Sequence, residues 1–212
     1  MHKTRNIESL KPGWRRVKFG DVVQLSKARC ADPLAEGVER YVGLEHLEPG
    51  DLRIRNWGNV ADGVTFTSVF QPGQVLFGKR RAYQRKVALA DFSGVCSGDI
   101  YVMETKDSQV LMPELLPFIC QTDAFFEHAV STSAGSLSPR TNWTSLTEFE
   151  FALPPITKQL PIVKACEAAL ETGVTYAPGS RTGCIARDNR LDQQRRRDAP
   201  ARGRVTPRRG TA

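Results

Sequence analysis

Between residues 14 and 155, short runs of alternating apolar and polar residues recur, each closed by Pro–Gly, Gly or Asp. Val17 and Phe19 alternate with charge in WRRVKF, and Leu52 and Ile54 alternate with Arg53 and Arg55. GQVLFG, KVALADF, DIYVME and EFEFAL are further runs of this kind. A period of two residues, with turn signals at the ends, predicts β-strands. One stretch has a different period. From Pro113 onward, Leu115, Phe118, Ile119, Thr122, Phe125, Phe126 and Ala129 follow helical spacing, and the polar loop STSAGSLSPR comes next. After Pro154–Pro155, Thr157 is placed to cap a second helix, along which Ile156, Leu160, Val163, Cys166 and Leu170 repeat every three or four residues. That stripe stops at Gly173, and no internal repeat is present. The predicted class is α+β: a mixed, β-rich domain over 14–155 with one packed helix, then the start of a coiled-coil-like helix over 156–172. Residues 1–13 form a polar lead-in. Residues 173–212 have almost no apolar periodicity and are expected to be disordered.

Charge refines this division. The net charge is +7, but residues 173–212 hold ten Arg, no Lys, three Asp and no Glu, which alone give +7. Residues 1–172 carry 20 basic and 20 acidic side chains. The high isoelectric point is therefore no evidence that the folded part binds nucleic acid, and local clustering must supply it. The apolar runs are too short to span a membrane, and MHKTRNIESLKPGW lacks an apolar signal core, so a cytoplasmic protein is expected. Cys30, Cys96, Cys120, Cys166 and Cys184 are odd in number and never spaced CxxC, which favours reduced, mostly buried thiols over zinc ligands or disulfides.

Several catalytic patterns are approached and missed. GQVLFGKR has the frame of a phosphate-binding loop, but Arg80 stands where a magnesium-binding hydroxyl is needed, and the interior reads as a strand. Asp99, with Glu104 and Lys106, has the composition of a metal-dependent nuclease constellation. An odd offset along one strand puts the two carboxylates on opposite faces. Leu153-Pro154-Pro155-Ile156 shares only its prolines with the catalytic loop of amino-methyltransferases, and no glycine-rich turn for a methyl donor is visible. His2, His46 and His128 lack metal-ligand spacing and belong to no nucleophile constellation.

Two segments carry binding chemistry. Lys79-Arg80-Arg81-Ala82-Tyr83-Gln84-Arg85-Lys86 places five cations in eight residues between two strand-like runs. Arginine forks suit guanine edges, lysine suits phosphate, and Gln84 suits adenine. The same octet also suits a solvated hairpin tip. Ser133–Trp143 is the second candidate: small residues permit close backbone approach, and Ser136, Ser138, Arg140 and Asn142 offer polar groups to phosphate or base edges. Alone, it also suits a polar connector.

The order of these blocks resembles the target-recognition domain of type I restriction–modification specificity subunits. Gly13-Trp14-Arg-Arg-Val17-Lys-Phe19-Gly20-Asp21-Val22 is similar to the family's opening W-x-x-x-x-L-G-D-V, and Tyr41-Val-Gly-Leu44-Glu45-His-Leu47 to a following strand. Pro72–Lys79 resembles x-G-D-V-L-x-x-K before a basic, aromatic loop, and Ser93–Ser97 with Asp99-Ile100 a central small-residue strand. Gly135, Arg140, Asn142, Trp143, Leu146 and Phe149 resemble the stretch before the last strand. Leu153–Val163 resembles L-P-P-L-x-E-Q-x-x-I, which opens the family's spacer helix, with Lys158 where Glu is common.

The resemblance implies a module that reads one half of a split site in double-stranded DNA and catalyses nothing itself. Lys79, Arg80, Arg81, Tyr83, Gln84, Arg85, Lys86, Ser136, Arg140 and Asn142 are the implied DNA contacts. Ile156, Gln159, Leu160, Val163 and Leu170 are the implied subunit contacts. Methyltransferase subunits and a restriction–translocase subunit are the implied partners, and they would hold S-adenosylmethionine, ATP and magnesium, with no cofactor on this chain. The family carries two such domains and a long spacer helix, whereas here there is one domain and the stripe stops at Gly173. A truncated chain is therefore expected, either acting as a homodimer or a non-functional remnant. A self-sufficient DNA-modifying or DNA-cleaving enzyme is the reading from another class.

Overall fold

The computed structural model describes residues 10–171. The disorder expected of 173–212, and the pairing state of Cys184, lie outside the described residues. The chain divides into Met1–Cys166 and Glu167–Ala212. Of the second unit, residues 167–171 are described, as the last part of a helix.

The first unit opens with β1 (Arg15–Lys18), a single turn α1 (Phe19–Val22), β2 (Val23–Leu25) and β3 (Arg40–Val42). β4 (Gly58–Asn59), β5 (Ser68–Phe70), β6 (Val75–Gly78), β7 (Val87–Leu89), β8 (Gly94–Cys96) and β9 (Ile100–Thr105) follow. The helical part is α2 (Leu116–Cys120), α3 (Asp123–Ser131) and α4 (Trp143–Thr147). The chain then closes with β10 (Glu150–Leu153) and α5 (Ile156–Glu171).

The central sheet has the order β2-β9-β6-β7, all antiparallel. Its two faces explain the sequence VLF. Val75 and Phe77 point into a core shared with Phe19, Leu116, Phe125, Phe126 and Leu146 from the helices. Leu76, between them, points the other way, into a core with Val42, Phe70 and Cys96 from the second sheet and with Leu47. A strand covered on both faces has no polar positions to alternate with, so all four residues of β6 are buried. The second sheet, β4-β3-β8-β5, is mixed, because β3 and β8 run parallel. Gly94 permits its tight packing: a Cβ there would meet the Arg40 carbonyl at 2.6 Å and the Phe70 ring at 3.0 Å. A ribbon of β1 and β10 joins the two ends of the domain, with Arg15 opposite Leu153.

Three expectations are corrected. The helix after Pro113 is not continuous: a 3-10 turn over Pro113–Leu115 leads into α2, which ends at Cys120, and α3 starts afresh at Asp123. Thr122, expected on the helix face, instead caps α3 by accepting from the Phe125 amide. A β-branched hydroxyl residue competes well for a cap and poorly for a helix interior. Leu52 and Ile54 are buried while Arg53 and Arg55 are exposed, as alternation demands, yet the segment forms only an isolated bridge, Arg53 to Leu89. WRRVKF ends as a strand at Lys18, and Phe19 enters α1.

Candidate nucleic-acid interface

The basic octet is the β6–β7 connection. Its tip is a 3-10 turn, Ala82–Gln84, framed by Arg81 and Arg85 in the left-handed region at φ 55° and 56°. Such a backbone is costly for non-glycine residues and needs tertiary contacts to hold it. Those contacts come from the octet itself. Ala82 is buried in the helical core. The Arg85 guanidinium donates to the Gln121 carbonyl at 3.1 Å, pairs with Asp123 at 2.7 Å and lies 4.5 Å from the centre of the Phe126 ring. Lys86 Nζ donates to the Leu44 carbonyl at 2.6 Å. Two of the five cations are thus committed to seating the hairpin. Arg81 and Tyr83 stand exposed at its tip, and Gln84 is half-buried.

The Ser/Gly/Pro segment folds against this hairpin. Ala134 and Arg140 pair antiparallel, with both amide–carbonyl bonds at 2.9–3.0 Å, and Gly135 makes the turn possible at φ 109°. Arg140 also pairs with Arg80: the Arg81 amide donates to the Pro139 carbonyl at 2.7 Å, and the Thr141 amide to the Lys79 carbonyl at 2.8 Å. The two segments singled out in the sequence therefore form one continuous surface. Thr141 is buried beneath it, its hydroxyl shared with Ser133 and the Ala129 carbonyl. Ser136 and Leu137 occupy the second tip, where Leu137 is 91% exposed.

Asp99 holds the surface together. Its carboxylate accepts from Arg140 Nε at 2.9 Å and from an Arg80 terminal nitrogen at 3.3 Å. Burial pushes this carboxyl up, but the hydrogen bonds and charges of Arg140 and then Arg80 outweigh it and hold the pKa below its ordinary value. Ser138 Oγ accepts from Arg80 Nε at 2.7 Å and from Arg81 Nε at 3.2 Å. Arg81 and Arg140 are thus each gripped through Nε. Their paired terminal nitrogens meet no partner among the described residues. Both forks are oriented from behind and open at the front. Lys79 Nζ lies 4.7 Å from the Tyr101 ring centre. Asn142 is exposed and uses its carbonyl oxygen to cap α4 at the Thr144 amide.

Sequence reasoning missed Asp99 and Ser138 as organisers. The sequence sets Asp99 aside as a metal ligand beside Glu104 and otherwise places it only at the edge of a small-residue strand. It lies just before β9, while Glu104, on β9, pairs with Gln24 and Gln74. No local signal points to its role, since Arg140 is 41 residues away in the chain.

The residues expected to contact other subunits separate into two sets. Gln159 is fully buried: its oxygen accepts from the Met112 amide, and its nitrogen donates to the Val110 and Pro154 carbonyls. Val163 is 2% exposed in the same core. Both are engaged inside this chain, because the buried stripe of α5 runs through Gln159, Val163 and Cys166. Ile156, Leu160 and Leu170 are exposed.

Over 194 residues the chain is 27% identical to the EcoDI specificity subunit, a type I restriction enzyme component from Escherichia coli, covering 90% of this chain and 42% of that one. The chain is similar to a type I restriction specificity subunit. It spans less than half the length of the curated relative it matches. The fold agrees. The HsdS subunit from Thermoanaerobacter tengcongensis superimposes with a TM-score of 0.67 at 24% identity, over 80% of this chain and 45% of that one. A chain from a structure of the type I R-M system gives 0.69 at 22%, over 90% and 47%. The S subunit from M. genitalium gives 0.53 at 14%, over 81% and 41%. No family model matches. Among the described residues, no helix is long and apolar enough to cross a membrane.

Proposed function

We propose that this chain is a sequence-reading DNA-binding module of a type I restriction–modification system, acting through partner subunits and catalysing nothing itself. The observation that carries the reading is the convergence of Arg80, Arg81 and Arg140 on Asp99 and Ser138, with two guanidinium forks left open. A fork fixed through Nε and free at its terminal nitrogens suits the bidentate geometry that a guanine edge or a phosphate demands. Tyr83, Gln84, Ser136 and Asn142 extend this face, while Lys79, Arg85 and Lys86 shape it. Methyltransferase subunits and a restriction–translocase subunit are the partners. They carry S-adenosylmethionine, ATP and magnesium, and Ile156, Leu160 and Leu170 offer apolar side chains for docking or for a second copy of this chain.

The test is co-expression with a methyltransferase subunit of this family, followed by mapping of methylated adenines on mixed-sequence DNA. Methylation at a defined motif is expected. Arg81→Ala or Arg140→Ala is expected to relax the motif, losing about 1–3 kcal/mol of discrimination at a base position. A motif unchanged by both substitutions would overturn the assignment of the forks.

A further inference from the structure

A groove of about 480 Å³ runs along the exit of β2, lined by Lys27, Arg29, Lys106 and Trp143 among others. A second, of about 170 Å³, continues from it to Lys79 and Tyr101, with Ser26 and Arg29 shared by both. Four cations and no carboxylate line the combined path. The acids beside it are engaged: Asp99, between the lining residues Gly98 and Ile100, is bonded to Arg80 and Arg140, and Glu104 to Gln24 and Gln74. Lys27 and Arg29 are exposed, and Lys27 meets no partner among the described residues. Arg29 donates only to the neighbouring Ala28 carbonyl, and Lys106 to the Gly20 carbonyl at 2.5 Å.

The path ends at Lys79, at the root of the arginine hairpin, so one polyanion lying on the hairpin continues naturally into it. Its chemistry differs from that of the hairpin. Three of its four cations are lysines, compact charges on flexible stems that neutralise phosphate without reading orientation. The hairpin offers arginine forks instead. The amide nitrogen of Gln24, which also lines the path, is already bonded to Glu104.

We infer that this groove binds the phosphodiester backbone of DNA, with Lys27, Arg29, Lys79 and Lys106 as sequence-independent anchors that set the register of the reading hairpin. The inference rests on the proposed DNA-binding function.

It is tested with the full chain and a labelled mixed-sequence duplex, by measuring binding across a salt series. Removing one cation that neutralises a phosphate lowers the magnitude of the salt slope by about 0.9, so Lys27→Ala with Arg29→Ala is expected to lower it by about two, equally on all sequences. The exposed Lys164→Ala on α5 is the charge control and is expected to keep the slope of the unaltered chain. Should the double variant lose its melting transition, Lys27→Ala alone, with no partner to lose, is expected to give half the effect. An unchanged slope, with the unaltered chain binding normally, overturns the groove and leaves the hairpin reading standing. An equal drop for Lys164→Ala also overturns it. Failure of the unaltered chain to bind DNA overturns both.

Discussion

Asp99 places one negative charge between two arginines, and its effect on binding has two opposing parts. The carboxylate orients Arg80 and Arg140, which favours reading a sequence. It also cancels positive charge, which disfavours holding any DNA. Asp99→Asn keeps the shape and removes the charge. Expected is tighter binding to mixed-sequence duplex at low salt together with weaker discrimination between sequences, read by competition binding. Loss of both, or no change in either, would mean that Asp99 does not organise the forks. The same group fixes an acid response. Its pKa is lowered in the folded state, so its contribution is fully present above the ordinary carboxyl value of about 3.9 and fades as pH falls through the lowered one. Discrimination by the hairpin is therefore expected to persist at pH 5.

Among the elements, α5 shows how far a periodic pattern carries. Its existence was legible from Pro154–Pro155 and the apolar repeat, but Thr157, expected to cap it, lies inside the helix, which begins at Ile156. Its buried face was not legible. A polar residue, Gln159, sits at the centre because the three backbone groups it satisfies come from Val110, Met112 and Pro154, which no helical wheel can show. Removing that side chain leaves the Met112 amide and two carbonyls without partners. Gln159→Ala is expected to cost about 3 kcal/mol in denaturant unfolding. Leu160→Glu, on the exposed side, is expected to leave unfolding unchanged and to abolish co-purification with a methyltransferase subunit. The reverse ranking would place the docking face elsewhere. Strands β6, β7, β9 and β10 were legible because their apolar residues fall in short runs closed by clear turn signals. The parallel pairing of β3 with β8, and the bridge from Arg80 to Arg140, were not, since both join segments distant in sequence with no local mark. The basic octet was found, but which cations face outward depended on Gln121, Asp123 and Leu44, which belong to other elements.

For the molecule as a whole, the central sheet decides how the two cores communicate. β6 gives Phe77 to the helical core and Leu76 to the core between the sheets, so neither core can dissolve without freeing the other's strand. The hairpin that carries the Arg81 fork is the direct extension of β6 and β7, and the segment that carries the Arg140 fork pairs with it at Arg80. Unfolding of the described domain is therefore expected to be one cooperative transition. Tryptophans report on both sides: Trp57 packs on Phe92 beside the core between the sheets, and Trp143 packs on Phe19 and Tyr101 beside the helical one. Variants keeping either Trp57 or Trp143 alone, with the other tryptophans changed to Phe, are expected to give superimposable denaturant curves. Leu76→Ala and Phe77→Ala are each expected to lower that single transition by about 3–4 kcal/mol, although they face opposite ways. Two separated transitions would mean that the sheets fold independently. The hairpin would then be held by one core alone, and substitutions in the other would leave DNA reading untouched.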